Sequence, residues 1–105
     1  MKILALEQDM PGVPGEAFGP LLKAEALRVW ELHQAGVLRE IYFRQDRSAA
    51  VLVLECAGVE QAREVLATLP LVKAGLITFD LIPLVPYPGL ARLFAADARQ
   101  PAREQ

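Results

Sequence analysis

Ala50-Val51-Leu52-Val53-Leu54-Glu55-Cys56 is the stretch that decides the fold. In an extended chain successive side chains point to opposite faces. Val51 and Val53 then lie on one side, and Leu52, Leu54 and Cys56 on the other. Both sets are apolar apart from Glu55, which marks a strand at the centre of its sheet. The elements on either side decide what covers each face.

Upstream, Lys2 to Glu7 reads as a first strand, broken by Pro11-Gly12-Val13-Pro14-Gly15. Phe18 to Ala35 has helical periodicity: Phe18, Leu21, Leu22, Val29 and Leu32 share one face, and Gly36 supplies the stop. Val37 to Arg44 is rich in β-branched and aromatic residues and reads as a second strand, with Gln45-Asp46-Arg47-Ser48 as the turn before Ala50. Downstream, Gly58 opens a helix over Val59 to Leu69 that Pro70 is expected to close. Gly75 to Leu84 is the fourth strand, ended by Pro83, Pro86 and Pro88. A short helix over Leu90 to Ala98 precedes a polar tail. The order β-α-β-β-α-β is that of the ferredoxin-like α+β fold with an antiparallel sheet. Such a unit sets both helices on one sheet face. A middle strand apolar on both faces therefore needs a second cover, and the same sheet of a second copy supplies one. The expectation is a homodimer or ring of dimers closed as an α/β barrel, with residues 1–88 forming the domain and residues 89–105 packing on the partner subunit.

At 105 residues the chain makes one domain, and 53% hydrophobic against 23% charged residues excludes a disordered tail. Eleven basic and thirteen acidic residues leave a net charge of −2, so there is no basic stripe for a nucleic acid and no polybasic anchor for a membrane. The apolar run at the N-terminus is too short for a signal peptide, and nothing approaches the roughly 20 apolar residues of a membrane span. One cysteine, Cys56, forbids an internal disulfide. A cytoplasmic location is expected.

The segment from Leu21 to Pro88 resembles the muconolactone isomerase family, dimeric α+β-barrel proteins of aromatic degradation. The likeness runs through Glu25, then Glu31-Leu32-His33-Gln34-Ala35-Gly36, Arg47 and Leu69-Pro70-Leu71. It ends in Asp80-Leu81-Ile82-Pro83-Leu84 and Pro88. The resemblance implies the barrel fold, an isomerase that moves a proton on a small lactone or enol acid, and a role for Glu25. The chain departs from the family on the second strand, where Leu38, Glu40 and Tyr42 replace tryptophans and a histidine, and near the fourth strand's end, where Tyr87 replaces a histidine. Those exchanges imply a different small ligand. They leave open a cofactor-free monooxygenase of the same barrel type, or a non-catalytic binding or assembly protein.

Glu25 is the candidate base. It falls at the centre of the first helix's apolar stripe, where a carboxylate must be paired, neutralised or turned to a cavity. Desolvation there raises its pKa toward values useful in proton transfer. The structural alternative is a helix-end residue paired with Arg39 or Arg44. His33, the one histidine, is a candidate acid/base partner or haem ligand, set against a histidine that caps the helix end. Tyr42 and Arg44, read as sharing a strand face with Leu38 and Glu40, could hold an oxygen of a small acidic organic molecule, or simply blunt an edge strand. Asp80 joins either the pocket or a dimer contact. Cys56 reads as a buried hydrophobe. No phosphate loop, dinucleotide motif or metal-ligand spacing occurs, and no metal or cofactor is expected.

Overall fold

Alternation along the first strand sets the two sides of the sheet. The computed structural model describes residues 1–95. Strand β1 (Lys2–Asp9) lies between β3 (Ala50–Glu55) and β4 (Ile77–Leu84), and β2 (Leu38–Phe43) pairs with β3 on the outside. The order β2-β3-β1-β4 is antiparallel throughout and is the expected ferredoxin-like arrangement. Helices α1 (Leu22–Gln34), α2 (Val59–Leu66) and the single turn α3 (Pro70–Lys73) complete the α+β domain.

The core follows from this order. Ile3 and Ala5 of β1 and Leu52 and Leu54 of β3 share one face, joined by Leu38 of β2. Leu32, Ala62, Leu66 and Leu69 close on them. A second cluster, Leu71, Leu76 and Ile77 with Phe18 and Leu21 against it, fills one end. Leu4, Leu6, Val51 and Val53 point to the other face and are only half-buried. Pro83 sits inside β4, which is tolerated because β4 is an edge strand.

Three local expectations are corrected. The helix expected from Phe18 starts at Leu22, after two short 3₁₀ segments, Gly15–Ala17 and Gly19–Leu21. A residue before proline resists the α conformation, so Gly19-Pro20 delays the helix. Pro70 opens α3 rather than closing α2: Leu69 before it is extended at ψ 132°, and proline fits a first helical turn, whose N–H has no partner within the helix. The short C-terminal helix is a 3₁₀ helix over Pro88–Phe94; residues 96–98 of the expected span lie outside the described residues.

A fourth difference decides the site. Leu38 pairs with Leu54, but Glu40, not Arg39, pairs with Val53. One extra residue therefore sits in β2, and a bulge of this kind re-aims every side chain beyond it. Ile41 and Phe43 turn to the helix side, while Glu40 and Tyr42 turn away from Leu38's face.

Candidate functional site

Period two carries Ile3 and Ala5 into the core, and the next residues of that set are Glu7 and Asp9. Beyond the closed part of the core, sheet and helix separate around a cavity of about 750 Å³. Its walls are Phe18, Leu22, Ala26 and Val29 from the helical side, and Ile41, Phe43, Leu52, Ile77 and Phe79 from the sheet. Leu69 and Leu71 close one side. The volume and largely apolar wall suit a small organic ring, and among the described residues the charged lining groups are Glu7, Asp9 and Glu25.

Glu25 reaches this cavity from α1, as its place in the apolar stripe predicts. It is half-buried, and its Oε1 accepts a hydrogen bond from the Leu71 backbone N–H at 2.9 Å. That donor exists because Leu71 stands in the first turn of α3, where helix N–H groups have no carbonyl to meet. Loss of water raises the Glu25 pKa from its ordinary value, the Leu71 bond offsets part of this, and the nearby Glu7 charge raises it further. Neither Arg39 nor Arg44 pairs with Glu25. The Arg39 Nε donates to the Gly36 carbonyl at 2.6 Å.

Glu7 is the residue that sequence reasoning missed. Its Oε1 accepts from the Ala50 N–H at 2.7 Å. Burial again raises its pKa, opposed by the Ala50 bond; Asp9 raises it further and Arg47 lowers it. The available signal was the alternation Ile3, Ala5, Glu7, which extends the inward set of β1 by one acidic residue.

The other candidates stand away from the cavity lining. The bulge puts Tyr42 on the far face, where its hydroxyl donates to Glu40 at 2.8 Å. Arg44 follows β2 and forms a two-pronged bond to Asp46, with Nε to Oδ1 at 2.8 Å and Nη2 to Oδ2 at 2.6 Å, at the exposed turn. Asp80 pairs in register with Leu6, also on the far face, and is exposed. His33 lies at the end of α1 with Nδ1 3.2 Å from the Leu38 carbonyl and its ring 5.7 Å from that of Trp30. A carbonyl partner requires Nδ1 to carry the proton. Tyr42 and Arg44, the expected anchors for a small acidic molecule, thus stand outside the cavity, and among the described residues no lysine, arginine or histidine lines it. Among the described residues no group of three or more His, Cys, Asp or Glu is disposed to hold a metal ion, and no helix is long and apolar enough to cross a membrane.

No protein-family model and no curated protein sequence matches the chain. Solved structures do. A crystal structure of muconolactone isomerase superposes with a TM-score of 0.66 at 18% identity, covering 98% of this chain and 100% of that one. The chain has the muconolactone isomerase fold. The 5-chloro-2-hydroxyhydroquinone dehydrochlorinase of Burkholderia phenoliruptrix AC1100, solved with 2,5-dihydroxybenzoquinone, also gives 0.66, at 16% identity over 81% of this chain and 94% of that one. At these identities the likeness is one of fold, and it agrees with the resemblance read from Leu21 to Pro88.

Proposed function

We propose that this muconolactone isomerase-like chain is an enzyme that moves a proton on a small, uncharged lactone or enol, with Glu25 as the base. The observation that carries the reading is Glu25 itself: a half-buried carboxylate on the wall of an apolar cavity, held by one backbone N–H. Removing water from a carboxylate strengthens it as a base, and the Leu71 bond holds one of its oxygens in place. Proton transfer between carbon and carboxylate needs no cofactor. Three acidic residues and, among the described residues, no cation on the lining favour a substrate that brings hydroxyl or carbonyl groups rather than a carboxylate. The structural neighbours support a ring of this kind: one is named for a lactone, the other was solved with a dihydroxybenzoquinone.

The test is Glu25→Gln, which keeps a carbonyl oxygen for the Leu71 N–H and removes the base. The probe is α-angelica lactone, a neutral β,γ-unsaturated lactone, followed by NMR for loss of its α-proton to deuterium oxide. The native chain should accelerate exchange over buffer, and the variant should lose roughly 10²- to 10⁴-fold of that rate. Equal exchange by both proteins would remove Glu25 from the reaction. Binding of the lactone by both with exchange by neither would make the chain a binding protein.

A further inference from the structure

Of the three carboxylates on the cavity lining, Glu7, Asp9 and Glu25, two are held by backbone N–H groups and come from different elements. Glu7 comes from β1 and Glu25 from α1. Each is tied by its Oε1 to one backbone N–H, that of Ala50 and that of Leu71, and neither Oε2 has a hydrogen-bond partner among the described residues. Both side chains are therefore fixed in direction with one oxygen unspent. Two ionised carboxylates on one apolar cavity repel, and among the described residues no lysine, arginine or histidine lines it to separate them. The groups that act on Glu7 are Asp9, which opposes its ionisation, and Arg47, which favours it; the group that acts on Glu25 is Glu7.

We infer that Glu7 and Glu25 hold one proton between them in the cavity, and that when this proton stands on Glu7 and Glu25 is ionised, Glu7 donates it to one carbon of the substrate while Glu25 accepts one from another. The inference rests on the reading of Glu25 as a base and adds the partner that reading lacks. On a β,γ-unsaturated lactone the balance is complete. Glu25 takes the α-proton, and the C–H electron pair moves into the ring to give the dienolate. The dienolate then takes the Glu7 proton at its γ-carbon, and the double bond comes to rest between the α- and β-carbons. Nothing is oxidised or reduced. The proton has crossed from Glu7 to Glu25 by way of the substrate, and one proton exchange with solvent or between the two carboxyls restores the pair. The arrangement selects for molecules in which one ring carbon loses a proton and another gains one.

Two measurements on the full chain test this. In the first, the glutamate side-chain carboxyls are labelled with ¹³C and titrated without ligand in the native chain, Glu7→Gln and Glu25→Gln. A shared proton gives two well-separated steps in the native chain, each single variant leaving one step shifted toward the ordinary carboxylate value. Native steps that are the plain sum of the two single-variant curves would overturn the shared proton. In the second, α-angelica lactone is followed in deuterium oxide. In Glu7→Gln the ratio of net isomerisation to exchange at the α-carbon should fall roughly 10²-fold or more below that of the native chain. Isomerisation at the native rate in Glu7→Gln would overturn the donor role and leave Glu25 acting alone. Loss of α-exchange already in the native chain would count against the base reading itself, and the titration would still decide the shared proton.

Discussion

Ionised Glu25 weakens the folded chain, and the pH dependence of stability should show it. Its folded pKa lies above the unfolded value, chiefly through lost hydration, so the folded state binds more protons across the interval between the two. Stability then falls as pH rises through that interval, and below it the carboxyl is protonated in both states and costs nothing. Gln at position 25 is uncharged at every pH and still accepts from Leu71. Glu25→Gln should therefore melt higher than the native chain at neutral pH and converge with it in acid, on thermal scans between pH 3 and about 8 in equal salt. A lower melting temperature for the variant at neutral pH would mean that the carboxylate is paired better than its surroundings suggest. Residues of this kind differ in how legible they are. Glu25 stands out in the sequence because a helical stripe is local, and one charge inside it is conspicuous. Glu7 does not, because the inward face of β1 near its end is core or cavity depending on where α1 departs from the sheet. Tyr42 and Arg44 were placed by counting in twos from Leu38, and a single extra residue in β2 reverses that count.

The start of α3 sets where one of the cavity's backbone donors, the Leu71 N–H, stands. Both α1 and α3 finish in the same motif. After α1, the Val37 N–H returns to the Leu32 carbonyl at 3.1 Å and the Gly36 N–H to His33 at 3.1 Å, with Gly36 at φ +79°. After α3, Leu76 returns to Leu71 at 3.0 Å and Gly75 to Val72 at 2.9 Å, with Gly75 at φ +77°. Left-handed backbone costs a side-chain-bearing residue roughly 1–2 kcal/mol, so glycine is the natural choice there. Gly36 was readable as a stop because a long periodic run precedes it. The one-turn α3 was not, since four residues carry no period and Pro70 looks the same whether it ends one helix or starts another. Gly75→Ala should lower stability by about 1–2 kcal/mol in urea unfolding. Gly15→Ala, at ordinary φ with open space around the added carbon, should change it by less than about 0.5 kcal/mol. Equal effects would mean that the left-handed turn is not what Gly75 provides.

Across the whole molecule the apolar surface exceeds what one chain covers. Leu4, Leu6, Val51 and Val53 line the face of the sheet away from the core, with Ile82 and Tyr42 beside them, the latter 59% exposed. The 3₁₀ segment after β4 adds Leu90, Leu93 and Phe94, the last 87% exposed. The paired alternation of Ala50 to Cys56 made the first surface legible in the sequence, and the spacing of Leu90, Leu93 and Phe94 the second. What the sequence could not carry was the geometry between them, which depends on the edge strand β4 leading the chain off the sheet. Large apolar patches of this kind are costly in water, and a second copy laid sheet to sheet would bury both. The expected species in micromolar solution is then a dimer or a multiple of it, measured by light scattering against the 11.5 kDa of one chain. Val53→Glu, which sets a charge in the middle of that face, should give folded monomers. Ending the chain at Gly89 removes Leu90, Leu93 and Phe94, whose burial is worth up to about 4–6 kcal/mol per subunit, and should weaken association without unfolding the sheet. The two variants separate the surfaces: if only the Val53 change dissociates the protein, the sheet face holds the assembly alone and the 3₁₀ segment contributes nothing to it. A native chain that scatters as a monomer would leave both faces to water and defeat the argument for a second copy.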